Sequence, residues 1–346
     1  MAKMGRPWRD HKPPSSAPVW GIIEGFGAYY LLLTALELGV FDVMASDGPT
    51  PVGLLADRLE VSPTHLAGLL DSLVALALLE RVDERFGLNE TAERYLVSGG
   101  PASLADLVGV APGPRENWLG LAETIRQGRP ANPIEGDPAA FYVPLVEGTF
   151  TTVFRAASRA DLKIRYSALT APRVLDLGAG GAPWAMAVLS KCPKATAVVN
   201  DLPGVLPVAQ RKAQEHGVAE RCTFLPGNFH EVPLEEEAFD LVVLGHVCRT
   251  EGVDGAQHLI HRAYRALRPG GRVLLADYFV DPDRRYNPHG VLMGMTMMAS
   301  TLEGFALTNA QATQWLRAAG FVNRRLIEPI GNQFVYVATR AEKRSR

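Results

Sequence analysis

The stretch Arg173 to Asp201, RVLDLGAGGAPWAMAVLSKCPKATAVVND, constrains the fold more than any other part of the chain. Arg173 to Leu177 is a β-branched and aliphatic run that ends in a glycine-rich loop, as a buried parallel strand does at its carboxyl end. Pro183 suits the first turn of a helix, where its missing N–H costs nothing, and Trp184 to Leu189 suits a helix packed on a sheet. A second strand, Ala195 to Asn200, then ends at Asp201. Strand, glycine loop, helix, strand and acid open a nucleotide-binding α/β unit. Glycines let the backbone approach a ligand, and the second acid can hydrogen-bond a ribose. The loop holds Gly178, Gly180 and Gly181, but proline at 183 breaks the G-x-G-x-x-G dinucleotide spacing.

At 346 residues and 47 % hydrophobic content, the chain is long and apolar enough for more than one core. Its net charge of −2 gives no general attraction to nucleic acid or an anionic membrane, and neither is expected as a partner. Cys192, Cys222 and Cys248 are scattered and odd in number, which fits reduced thiols in a cytoplasmic protein better than disulfides or a zinc site. Residues 1–18 are polar, carry Pro7, Pro13, Pro14 and Pro18, lack a signal peptide's apolar core, and are expected to be a disordered lead-in. Tyr29 to Phe41, interrupted by Glu37 and Gly39, is too short to span a bilayer and reads as a buried helix.

Over residues 19–99 the pattern is helix, turn, helix and a possible hairpin. Ser62-Pro63 opens a helix with Leu66, Leu69, Leu70, Leu73 and Leu76 at helical spacing, and two short strands flank Asp83-Glu84. This is a winged-helix outline. The presumed reading helix, Pro63 to Leu78, has His65 but no Lys or Arg, which argues against DNA binding. Residues 100–171 hold helical segments with Trp118, Phe141, Tyr142, Phe150 and Phe154. Beyond them Arg221 to Gly227 and Phe239 to Leu244 read as further strands. Ala266 to Leu275 reads as a helix end, a Pro-Gly-Gly turn and a fifth strand, and Met295 to Phe305, Leu307 to Phe321 and Phe334 to Thr339 complete the carboxy-terminal helix and antiparallel strands.

Asp176, Gly178 and Gly180, with Ala182 at the last small position, resemble motif I of class I S-adenosylmethionine (SAM) methyltransferases. Together with Ala35 to Met44, Leu69 to Arg81, Leu88 to Val97, Asp201-Leu202-Pro203 and the Pro269-Gly270-Gly271 turn, the chain beyond residue 20 resembles the O-methyltransferase family typified by plant phenylpropanoid and bacterial polyketide or hydroxyneurosporene enzymes. The resemblance implies an α/β fold: a Rossmann-like SAM-binding domain over 172–342, an α-helical winged-helix-like dimerisation domain over 19–99, and a helical linker over 100–171 that roofs the acceptor pocket. It also implies a homodimer, SAM as cofactor with S-adenosylhomocysteine as product, and a small aromatic or polyketide-like acceptor. Carried onto this sequence, the cofactor residues are Asp176, Gly178, Gly180, Asp201, Leu202, Asn228, Phe229 and Gly245, and the candidate acceptor residues are Met293, Met297, Phe154 and Tyr286.

The family's plant branch places a His-Asp pair nine residues after the strand-four aspartate; counted from Asp240, this chain has Arg249-Thr250. Arginine cannot act as that base near neutral pH. The carboxylate after strand five is Asp277, shorter than the usual glutamate, and the second appears as Ala306 with Glu303 nearby. Three explanations stay open. Arg249 stabilises an acceptor that is already anionic, and proximity does the rest. Alternatively, His246 or His289 is the base. Or SAM is kept for hydroxylation, decarboxylation or cyclisation instead of methyl transfer. Oxygen or carbon as methyl acceptor is also open. His246, His289 and Asp277 have the ligand types of a mononuclear iron site but no enforcing spacing, and no metal is assigned.

Overall fold

A computed structural model describes residues 15–111, 113–285, 287–330 and 333–342. It divides after Gly100 into two compact units. Most of the lead-in expected over 1–18, namely 1–14, lies outside the described residues, and so does Tyr286.

The first unit contains α1 (Ala17–Glu37), α2 (Val40–Asp47), β1 (Thr50–Pro51), α3 (Val52–Leu59), α4 (Pro63–Ala75), β2 (Leu79–Val82), β3 (Arg85–Leu88) and α5 (Glu90–Tyr95). Leu66, Leu70 and Leu73 of α4 are buried with Phe41, Leu55 and Phe86, and β1, β3 and β2 form a small antiparallel sheet. The single buried helix expected over Tyr29 to Phe41 is corrected. Gly39, at φ 75°, separates α1 from α2, because only a residue without a Cβ turns the chain there cheaply. Leu33, Ala35, Val40 and Phe41 are buried, whereas Val19, Trp20, Ile22, Ile23 and Phe26 are between 57 % and 78 % exposed. Among the described residues α1 is also the one helix long and apolar enough to cross a membrane by length and composition.

The second unit begins with α6 (Ala105–Val110), α7 (Arg115–Leu119), α8 (Leu121–Gln127) and the long α9 (Pro138–Ile164). A seven-stranded sheet follows: β4 (Arg173–Leu177), β5 (Thr196–Asp201), β6 (Cys222–Pro226), β7 (Phe239–Gly245), β8 (Leu267–Asp277), β9 (Phe321–Ile330) and β10 (Gln333–Arg340). Its order is β6-β5-β4-β7-β8-β10-β9, with β10 antiparallel to both neighbours and β4 to β8 parallel. α9, α10 (Pro183–Lys191) and α11 (Leu206–Glu215) cover one face; α12 (Gly252–Ala266) and α14 (Asn309–Ala318) cover the other. α13 (Pro288–Ser300) begins seven residues before the helix expected from Met295, because Asn287 caps it by accepting from Gly290 N at 3.1 Å. At the Pro-Gly-Gly segment the pairing jumps from Leu267 opposite Phe239 to Arg272 opposite Leu241. The intervening residues are looped out around Gly270, which has φ 77°. The chain proceeds outward from β4 in one direction through β5 and β6, then in the other through β7 and β8. The carboxyl ends of β4, β5 and β7 therefore flank a topological switch point, where α/β sheets bind ligands.

Candidate active site

The glycine loop after β4 stands at that switch point. Gly178 and Gly180 have φ of 63° and 59°, and an added Cβ would lie 2.5 Å from Val247 Cγ1 at the first and 2.7 Å from Val146 Cγ1 at the second. Backbone conformation and lack of space both require glycine. Asp176 is buried and accepts from Ala185 N at 3.2 Å. Burial pushes its carboxyl up to about 8; the Ala185 hydrogen bond opposes the shift and Asp201 adds to it. Asp201, at the tip of β5, accepts from Gly180 N at 2.6 Å and from Leu202 N at 2.7 Å, one bond on each oxygen. Burial raises its pKa against those two bonds. Each oxygen keeps a lone pair for a ligand hydroxyl. Asn228 accepts from His230 N at 2.8 Å, which fixes its amide, and the Phe229 ring lies 3.1 Å from where a Gly178 Cβ would be.

Six of the expected cofactor residues, Gly178, Gly180, Asp201, Leu202, Asn228 and Phe229, thus meet around one loop, with Asp176 beneath it. Left-handed glycines, a carboxylate at the neighbouring strand tip and an aromatic ring beside the first glycine fit the methionine, ribose and adenine parts of SAM. Gly245 has a different neighbour: a Cβ there would stand 3.0 Å from Trp184 Cδ1, so its bareness accommodates the indole.

A second cluster lies at the ends of β7 and β8. His246 takes φ 64° directly after β7, and its N–H donates to Ala276 O at 2.8 Å. Arg249, 8 % exposed, donates from Nη1 to Asp277 Oδ1 at 2.8 Å and to His246 Nδ1 at 3.1 Å. The Tyr278 N–H donates to the same Asp277 oxygen at 2.8 Å, and its ring lies 5.1 Å from Arg249 Cζ. Burial opposes the charge on Arg249, but Asp277 and Tyr278 outweigh it and raise its pKa. His246 is pushed down to about 4, first by burial and then by Arg249. His246 Nε2 faces Gln333 Oε1 at 3.4 Å. The His289 ring packs 4.7 Å from Tyr278 and makes no hydrogen bond among the described residues; partial burial lowers its pKa, and Arg249 lowers it further. Three buried polar atoms in and beside this cluster, Arg249 Nε, Asp277 Oδ2 and Trp184 Nε1, have no hydrogen-bond partner among the described residues.

The iron-type set of His246, His289 and Asp277 has no room for a cation. Arg249 Nη1 bonds both His246 Nδ1 and Asp277 Oδ1, which are 3.9 Å apart. Among the described residues no three His, Cys, Asp or Glu side chains form a metal-ligand group. Phe154, expected at the acceptor, stacks on Phe150 at 5.7 Å and meets the His216 ring at a tilt with centroids 4.5 Å apart, because its spacing of four residues from Phe150 puts both on the α9 face toward α11. Met297 is 2 % exposed and packs on the turn at Gly304, whereas Met293, one helical turn earlier on α13, is half-buried. Ala306 packs on Gly294, and Glu303 lies over Gly252 at the start of α12.

Several neighbours carried no signal in the sequence. Tyr142 of α9 reaches the Thr250 hydroxyl; burial first, then Glu251, push its phenol up to about 12. Glu251 accepts from Thr250 Oγ1 at 2.7 Å and lies 3.0 Å from His230 Nε2. Only the adjacency of Thr250 and Glu251 to Arg249 could have pointed to them; nothing marked Gln333.

Comparison with known proteins gives the family. Residues 118–322 match the model of the O-methyltransferase domain and residues 20–98 that of the O-methyltransferase dimerisation domain. The chain is 31 % identical over 312 residues to the tetracenomycin polyketide synthesis 8-O-methyl transferase of Streptomyces glaucescens, covering 85 % of this chain and 88 % of that protein. It is 31 % identical over 323 residues to acetylserotonin O-methyltransferase of Bos taurus, covering 86 % and 90 %. The crystal structure of human N-acetylserotonin methyltransferase in complex with SAM matches with a TM-score of 0.82 at 25 % identity, over 96 % of this chain and 99 % of that one. The protein is therefore a methyltransferase that uses SAM, and it belongs to the O-methyltransferase family.

Proposed function

We propose that this enzyme methylates an ionised hydroxyl oxygen of a small aromatic or polyketide-like acceptor, and that Arg249 holds the oxyanion. Asp201 would hold the ribose hydroxyls of SAM, the loop at Gly178 and Gly180 its methionine portion, and Phe229 with Asn228 its adenine. Bound SAM supplies an electrophilic methyl on a positively charged sulfur. Arg249 is the observation that carries the reading: both Nη1 hydrogens are committed, to Asp277 and His246, while Nε and Nη2 make no hydrogen bond among the described residues. A buried guanidinium with free N–H groups favours an anionic oxygen. A charge-assisted hydrogen bond of about 1.5–3 kcal/mol lowers a phenol's pKa by roughly 1–2 units. The proton is then lost to solvent before transfer, and no histidine is needed to remove it. The named polyketide and acetylserotonin relatives support an aromatic hydroxyl acceptor, and the exposed apolar half of α1, within the matched dimerisation segment, supports a homodimer.

Arg249→Ala, assayed with methyl-labelled SAM and phenols of graded acidity, tests this. Removal of one oxyanion donor costs about 10²–10³ in kcat; the loss should be smallest for the most acidic phenols, with SAM affinity retained. Unchanged turnover and acceptor KM would sink it. If SAM persists while an acceptor changes mass by something other than a methyl, the site has been turned to different chemistry.

A further inference from the structure

The antiparallel register of β10 against β8 sets Phe334 opposite Asp277, and this brings Gln333 to the sheet end that holds His246. Gln333 is 5 % exposed, and its Oε1 is the only hydrogen-bond partner of His246 Nε2 among the described residues. We propose that Gln333 is a positioning residue: by accepting the His246 Nε2–H it fixes the tautomer whose Nδ1 lone pair receives Arg249, and so sets the guanidinium's orientation. The inference rests on the acceptor reading of Arg249 only for its catalytic consequence.

Arginine has donors and no acceptor, so a hydrogen bond from Nη1 at 3.1 Å requires His246 Nδ1 to be unprotonated. A neutral ring then carries its proton on Nε2, and the amide end facing it must be the carbonyl. Nη1 has two hydrogens, and Asp277 Oδ1 and His246 Nδ1 take both. The guanidinium is therefore pinned through one nitrogen by a carboxylate on one side and an imidazole on the other. Its remaining three N–H groups are fixed in direction because the fork is planar. Without the Gln333 carbonyl, a buried Nε2–H has no partner, and the alternative tautomer turns an Nδ1–H donor against the Arg249 donor. Asp277 alone would then hold the guanidinium, through a single hydrogen bond about which it can swing.

The test uses the whole enzyme without SAM, labelled with 15N at histidine and arginine. In the wild type, His246 should show protonated Nε2 and unprotonated Nδ1 from pH 5.5 to 8. Gln333→Met, which keeps volume and removes the acceptor, should broaden or shift the His246 signals and the Arg249 Nε–H signal. It should also lower kcat/KM for the acceptor by about tenfold to a hundredfold with SAM affinity within about threefold, a distance-sensitive loss of the kind expected when a catalytic group is misplaced. Gln333→Glu should hold His246 protonated and move the acid limb of the pH profile toward neutrality. A wild-type His246 protonated at Nδ1 would overturn the inference. So would His246 and Arg249 signals in Gln333→Met that match the wild type. Signals that change as expected while acceptor kinetics stay constant would uphold the positioning role and instead remove Arg249 from the acceptor.

Discussion

Asp176, which is buried, and His246, whose side chain is 15 % exposed, are both held in their neutral forms, with opposite consequences for stability against pH. The folded-state pKa of His246 is depressed to about 4, so stability is full above the ordinary histidine value near 6.5 and is lost as pH falls toward 4. That of Asp176 is raised to about 8, so its contribution is full below the ordinary aspartate value near 3.9 and is lost as pH rises to 8. From about pH 4 to 6.5 the two slopes oppose each other; above 6.5 His246 no longer contributes and Asp176 still does, at up to about 1.4 kcal/mol per pH unit. Denaturant titrations of the SAM-free enzyme should therefore lose roughly 1–2 kcal/mol between pH 6.5 and 8.5 through Asp176, and Asp176→Asn should reduce the loss, the remainder falling to groups such as Asp201 that burial also shifts up. With Asp176 as a cofactor residue, as proposed, cationic SAM would favour the ionised carboxylate, so the wild type should release more protons on binding SAM at pH 7 than Asp176→Asn does. Calorimetry in buffers of different ionisation enthalpy measures this, and equal release would separate Asp176 from the cofactor. Asp176 and Asp201 were legible in sequence because each ends a short strand at fixed spacing from the glycines. Gln333 was not: it stands 87 residues from its partner His246 and reaches it only through strand pairing.

At the scale of elements, the glycine loop and α1 make the sharpest demands. Gly178→Ala must place a Cβ 2.5 Å from Val247 Cγ1 on a residue at φ 63°. The left-handed conformation alone costs about 1 kcal/mol for alanine. We expect SAM affinity to fall at least tenfold while the far-ultraviolet circular dichroism is unchanged; wild-type affinity would mean that the loop shifts without touching the cofactor. On α1, Ile22 and Phe26 are 78 % and 69 % exposed, one helical turn apart. Covering such residues contributes about 1.5–3 kcal/mol each. The double change Ile22→Glu with Phe26→Glu should convert the proposed homodimer to monomers in light scattering, whereas dimers that persist would place the interface elsewhere. The helical apolarity of this segment was plain in sequence. Its division at Gly39 was not resolved, because apolar spacing looks alike on both sides of a left-handed residue.

At the scale of the molecule, a first unit with an exposed apolar helix should draw part of its stability from association. Its thermal transition should then rise with protein concentration, as mass action requires when only the folded form assembles. A transition independent of concentration across a hundredfold range would argue for a folded monomer. The order of the pieces, helical unit, connecting helices and α/β sheet, could be read directly along the chain.

The sequence alone determined the α/β class, the strand–glycine–helix–strand unit and the cofactor type, since each is carried by local pattern and short spacing. Tertiary structure decided what surrounds Arg249. It placed Arg249 in hydrogen-bond contact with Asp277 and His246, turned Phe154 toward α11, filled the space beside Gly245 with Trp184 and brought Gln333 to the site. These outcomes depend on strand register, helix facing and burial, which arise only when distant segments pack and exclude water, and no local spacing encodes them.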